Sequence, residues 1–239
     1  DERFSWKLEP GEAFTTPEAL LCCAPDGLTA LSQRYQHFVR HNICRSPFRF
    51  TRRPVLINNW EATYFQFTTD TICRIAEKAA SLGVEMLVLD DGWFGKRNDD
   101  NSGLGDWYVN EDKLPGGLNP LIERVNALGM KFGIWVEPEM ISEDSDLYRA
   151  HHDWALTLPG RDPAMGRDQL VLDMGRDEVV DYLTDVLSNL LRDHHIEYVK
   201  WDMNRNMSDV YSRALPPERQ GEVAHRYMLG VYRLLDRLT

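Results

Sequence analysis

MLVLDDGWFG, residues 86–95, decides the fold. Four apolar residues run without a spacer into two adjacent carboxylates, and a glycine and two aromatics follow directly. A short run with no polar alternation reads as a strand buried on both faces, the pattern of a parallel sheet covered by helices. Charge where such a strand stops argues for a site, because adjacent carboxylates repel and a helix cap needs only one of them.

The same unit recurs on either side. VLINNW (55–60) is a short strand, followed by a helix with Ile72, Ile75, Ala76, Ala79 and Leu82 on one face, Thr69 as its N-cap and Gly83 at its end. After residue 92 come a loop rich in Asn, Asp and Gly and a helix carrying Ile122, Val125 and Leu128. KFGIWVEP (131–138) reads as the third strand and QLVLDM (169–174) as the fourth, with a helix from about Asp177 to Asp193. EYVKWDMN (197–204) is the fifth, before a last helix from about Pro217. Five strand–helix units with no glycine-rich phosphate loop predict an α/β fold of the (β/α)8 TIM-barrel class over 54–239, incomplete at strands one to five. Strands six to eight are expected beyond Thr239. Residues 1–27 read as the last strands of a β-domain, and 28–53 as a linker helix with Leu31, Tyr35, Phe38 and Val39 at helical spacing.

Composition narrows the partners. The 239 residues are 43 % hydrophobic with a formal net charge of −11, which disfavours nucleic acid and anionic membranes and permits a neutral small substrate. No apolar run approaches the roughly 18 residues of a membrane span, and no signal peptide is visible behind Asp1. Cys22, Cys23, Cys44 and Cys73 lack CxxC pairing and read as reduced structural thiols, which suits a cytoplasmic location.

In a barrel the site gathers at the carboxyl ends of the strands. Those ends hold Asn59-Trp60, Asp90-Asp91, Trp135 with Glu137 and Glu139, Asp173, and Lys200-Trp201-Asp202 with Asn204. Carboxylates and Asn bind vicinal hydroxyls and an indole lies against a sugar ring, so the inventory suits a carbohydrate. None of the seven His ends a strand, and no metal or cofactor is indicated. Asp173 reads as a turn residue and Trp93, Phe94 and Trp107 as packing, whereas Glu137 and Glu139 stand open between ion pairing and the site. Lys200 and Asp202, two apart on a strand, share a face, and Lys200 would help keep Asp202 ionised. An ionised, oriented Asp is what a glycosidase nucleophile requires.

INNWEATYF (57–65), LVLDDGWFG (87–95), GDWYVNEDKLPGGL (105–118), GIWVEPEM (133–140), GRDQLVLD (166–173) and YVKWDMNR (198–205) together resemble family 36 of the glycoside hydrolases, the bacterial α-galactosidases. The resemblance also makes PGEAFTTPEALL similar to the close of that family's N-terminal β-sandwich domain. It implies a retaining exo-α-galactosidase acting on oligosaccharides such as melibiose and raffinose through a covalent galactosyl intermediate, commonly as a tetramer. By the same resemblance Asp202 is the nucleophile, Asp90 and Asp91 bind the galactose 4- and 6-hydroxyls, and Trp60, Trp135, Arg167, Lys200 and Asn204 line the galactose subsite. The family's acid/base Asp follows a Cys-Ser-Gly-Gly-Gly-like stretch that these residues do not contain. Two other readings stay open here: a non-catalytic sugar-binding or structural fragment, and an α-N-acetylgalactosaminidase or galactosyl transferase on the same scaffold.

Overall fold

A computed structural model describes residues 3–239, which divide into two compact units. The smaller is Leu8–Arg53, with Thr239 grouped to it. It holds helix α1 (Leu28–Phe38), which runs into a π-helical turn over Val39–Ile43, and a 3-10 turn at Pro47–Phe50 capped by Ser46, whose hydroxyl accepts from Phe48 N–H. A helix thus forms over Leu28–Phe38, where helical spacing places one. The strands expected in 1–27 do not form: residues 3–27 are extended or turn, and residues 1 and 2 lie outside the described residues. An extended segment becomes a strand only when a neighbour completes its ladder; Ser5 N–H donates to Gly221 O, but no ladder forms along this segment among the described residues.

The larger unit comprises residues 3–7 and Pro54–Leu238. Its sheet is built from β1 (Leu56–Asn58), β2 (Met86–Leu89), β3 (Lys131–Val136) and β6 (Tyr198–Trp201), adjacent in that order and all parallel. Every residue of β2 is buried, as its uninterrupted apolar run requires. Between β1 and β2 come α2 (Trp60–Thr63) and α3 (Thr69–Ser81); α4 (Asn119–Ala127) leads into β3. The amphipathic face of α3 buries Ile72, Cys73, Ala76 and Ala79. Its cap is Thr68, whose hydroxyl accepts from Thr71 N–H at 3.3 Å, rather than Thr69, whose own hydroxyl is buried without a partner.

The largest departure concerns 169–174. Only Leu170–Val171 (β5) is strand, and it pairs antiparallel with β4 (Met140–Ile141), so the parallel sheet has four strands and not five. Leu156 N–H donates to Val171 O and Leu172 N–H to Glu139 O, which ties the segment to the loop after β3. An apolar run must be buried, but burial does not name the neighbour that accepts its backbone.

After the short helix α5 (Asp146–Ala150), helices α6 (Asp177–Asp193) and α7 (Val223–Leu238) pack on each other, the latter entered through a 3-10 turn at Pro217–Glu222. Gly230 sets how closely α7 approaches: a Cβ there would lie 1.7 Å from the carbonyl oxygen of Met174. Backbone cannot rotate aside as a side chain does, so Gly230→Ala is expected to destabilise the chain by about 3 kcal/mol in urea denaturation. Of the four thiols, Cys73 is core, Cys44 is half-buried, and Cys22 and Cys23 are exposed, so only Cys73 is the structural thiol expected. No helix among the described residues is long and apolar enough to cross a membrane.

Candidate active site

Register explains why distant residues meet. Leu89, Ile134 and Val199 are level across β2, β3 and β6, so the next residues of the three chains, Asp90, Trp135 and Lys200, form one row at the carboxyl end. Residues level in adjacent parallel strands project to the same side. Lys200 Nζ therefore reaches across β3 to Asp90 Oδ2 at 2.8 Å, a pair in which the Asp side chain is 3 % exposed. Asp202 follows on the same face, its N–H held by Val136 O, and its Oδ2 accepts from the Trp135 indole Nε1 at 3.0 Å. That indole is itself fixed: it is buried, parallel to the Phe94 ring, and its main-chain carbonyl accepts from Trp93 Nε1 at 2.8 Å. One oxygen of Asp202 is thereby oriented, and the half-exposed carboxylate keeps the other for incoming groups.

The neighbouring acid is held differently. Asp90 Oδ1 accepts from Asp91 N–H, and Asn59 Oδ1 accepts from Asp90 N–H at 2.8 Å, which locks the turn after β2. Asp91 is gripped by Arg97, whose Nε and Nη2 donate to it at 3.1 and 2.9 Å, with side chains 2 % and 8 % exposed. Burial pushes the Asp91 carboxyl above the usual carboxylate range, against the pull of Arg97. Arg97 also donates to Ser102 O, and its own carbonyl accepts from Lys113 Nζ. Lys113 lies over the rings of Phe65 and Phe67, and burial lowers its pKa to about 8. Arg97 was not legible as a functional residue. In the sequence it is one more charge in a polar loop, and nothing in its spacing says that it is buried.

Beyond β3, Glu137 Oε1 accepts from Asn204 N–H at 2.7 Å and from Gln169 Nε2 at 3.1 Å. Glu139 Oε2 accepts from Trp201 Nε1 at 2.7 Å. Both acids are buried and raised in pKa by burial first, Glu139 to about 8. Asp173 is the turn residue its position suggests: it accepts from Gly175 N–H and the Ser212 hydroxyl. Trp93, Phe94 and Trp107 are buried packing aromatics.

The structure therefore bonds Lys200 to Asp90 and Trp135 to Asp202 in neighbouring strands and brings Asn204 to the same end through Glu137. Trp60, half-exposed at the start of α2, stands edge-on to Tyr64 and Phe65, and Phe65 in turn faces Arg97. Arg167 is not brought in. It occupies an exposed turn with φ of 55° and has no hydrogen bond or ion pair among the described residues. His194 and His195 bond Asn119 and Asn126 at the surface, away from this row. Among the described residues no group of three or more His, Cys, Asp or Glu is placed to hold a metal ion.

Comparison with known proteins places this constellation. The sequence profile of the family described as Melibiase matches residues 13–239. The chain is 55 % identical over 236 residues to alpha-galactosidase AgaA of Geobacillus stearothermophilus and 53 % identical over 236 residues to alpha-galactosidase 1 of Pediococcus pentosaceus. Each alignment covers 99 % of this chain and 32 % of the relative, so the chain spans about a third of the length of these proteins. The crystal structure of AgaA superposes with a TM-score of 0.96 at 55 % identity over 100 % of this chain and 33 % of the other. An AgaA variant superposing equally well was solved in complex with stachyose, and another, at a TM-score of 0.86, in complex with raffinose. With the profile matched over nearly its whole length and more than half its residues shared with AgaA, the chain belongs to the melibiase family, glycoside hydrolase family 36.

Proposed function

We propose that this chain is the nucleophile-bearing part of a retaining exo-α-galactosidase, and that its four parallel strands begin a (β/α)8 barrel. The observation that carries the reading is the Asp202 carboxylate, anchored through one oxygen by the Trp135 indole at 3.0 Å and flanked by the Lys200–Asp90 pair. A retaining mechanism needs a carboxylate held in line with the anomeric carbon and a second carboxyl about 5 Å away to protonate the leaving oxygen. Asp202 supplies the first. By the family resemblance the second is an Asp that follows a Cys-Ser-Gly-Gly-Gly-like stretch in proteins about three times the length of this chain, with residues 1–27 as the end of the preceding β-domain and 28–53 as the linker.

The sugar fits the remaining groups. Asp90, neutralised by Lys200, and Asp91, neutralised by Arg97, offer acceptor oxygens for the 4- and 6-hydroxyls. Trp60 supplies an aromatic wall and Asn204 part of the rim, while Arg167, on its exposed turn apart from the row, is assigned to the subsite by the family resemblance alone. The complexes of AgaA variants with raffinose and stachyose support α-linked galactose in oligosaccharides as the substrate class. Removing the wall in Trp60→Ala is expected to weaken binding of a galactose-mimicking iminosugar about tenfold, roughly 1.4 kcal/mol, as read by calorimetry. The reading itself is tested by incubating the intact enzyme with raffinose and following the first-formed galactose by NMR. Release of the α-anomer is expected. Release of the β-anomer, or turnover confined to N-acetylgalactosaminides, would overturn it.

A further inference from the structure

Two acids beside Asp202 have no part in the chemistry just outlined, and both are shut away from water. Glu137 and Glu139 flank Pro138 just past β3 and are 1 % and 0 % exposed. Glu137 Oε1 accepts from both Asn204 N–H and Gln169 Nε2. Glu139 Oε2 accepts from Trp201 Nε1 at 2.7 Å, while Oε1 is buried with no hydrogen-bond partner. The groups that face it are Glu137 on its own loop, Trp201 and Asp202 at the end of β6, and Tyr227 on α7. None of them is a cation. Burying a carboxylate with one oxygen orphaned and no positive partner is strongly unfavourable, whereas a neutral acid in the same place is tolerated. Because Oε2 is the acceptor for the indole, the proton belongs on Oε1.

We infer that Glu139 is a positioning residue for Asp202: as an uncharged acid it fixes the Trp201 indole, and with it the turn that presents the adjacent Asp202 carboxylate, while Glu137 fixes the same turn from Asn204. The inference rests on Asp202 being the nucleophile. It accounts for two acids separated by one proline that both bond residues 201–204. It also sets a working range. Burial, reinforced by Glu137 and Asp202, raises the Glu139 pKa to about 8. Above that the acid ionises beside Asp202, the orphaned oxygen seeks water, and the corner loosens.

Two readouts test this. In the intact enzyme, isotope-labelled at its tryptophan indoles and with the Trp201 signal assigned through Trp201→Phe, that signal is expected to titrate with a midpoint at about pH 8 and to stop titrating in Glu139→Gln. In the intact enzyme, Glu139→Gln is expected to keep kcat within about threefold near neutral pH and to move the alkaline limb of kcat to higher pH. Glu139→Leu is expected to lower kcat at least about tenfold with KM changed less than about threefold. An indole signal that titrates alike in wild type and Glu139→Gln, or an alkaline limb that Glu139→Gln leaves in place, would overturn the inference. A wild-type enzyme that turns over no α-galactoside would instead overturn the galactosidase reading, and the indole titration would still decide the role of Glu139.

Discussion

Asp202→Ala is expected to lower kcat on α-galactosides by on the order of 10⁵-fold, about 7 kcal/mol of transition-state stabilisation, while the chain stays folded. The size follows from the role. On the proposed role, no galactosyl ester forms without the carboxylate, and the two inversions of a retaining reaction have no first step. Folding should survive because Asp202 is half-exposed at a strand end and its bond to Trp135 Nε1 is one of several contacts that hold that indole. Losing one such acceptor costs about 1–2 kcal/mol. A folded, inactive variant thus separates the chemical role from a structural one. A small anion such as azide, able to enter the vacated space, is expected to restore part of the turnover and to yield the galactosyl azide of inverted configuration.

Arg97→Met is expected to be the most damaging change to stability, about 3–5 kcal/mol at neutral pH, because it leaves the buried Asp91 carboxylate without the cation that is hydrogen-bonded to it. Even in the wild type burial holds Asp91 above the usual carboxylate range. A native pKa raised above the unfolded value means that stability is greatest below the unfolded pKa and falls as pH rises through the native one. Removing Arg97 raises the native value further. The deficit of Arg97→Met should therefore shrink when urea denaturation is repeated at mildly acidic pH, where Asp91 is protonated in the native state. Asp91→Asn in the same background should recover part of the loss at neutral pH.

What could be read from the chain, and what could not, follows from the reach of each signal. Short, mostly apolar runs placed β1, β2, β3 and β6, and period-3.6 faces placed α3, α4, α6 and α7, because burial leaves its mark on each segment separately. The run at 169–174 is buried too, but it pairs with Met140–Ile141, and nothing in a segment's own hydrophobicity names its neighbour. Residues 3–27 failed as strands for the related reason that a ladder needs two members. At the site, the shared face of Lys200 and Asp202 was visible through the two-residue period of a strand. The row that joins Asp90, Trp135 and Lys200 needed the register of three strands, which no single segment carries. Arg97 and the orphaned oxygen of Glu139 were out of reach because burial of a polar group depends on everything packed around it. Arg167 entered only through the family resemblance, and on its exposed turn it has no hydrogen bond or ion pair among the described residues.

The most direct test of the account is to identify the carboxylate that becomes covalently galactosylated. The intact enzyme is treated with an activated 2-deoxy-2-fluoro-galactoside, which forms the ester quickly and releases it slowly, then digested and mapped by mass spectrometry. The account predicts one added fluorosugar, on the peptide containing residues 200–205 and on Asp202 within it. A label on Asp90, Glu137 or another carboxylate, or sustained turnover with no labelled carboxylate at all, would contradict it.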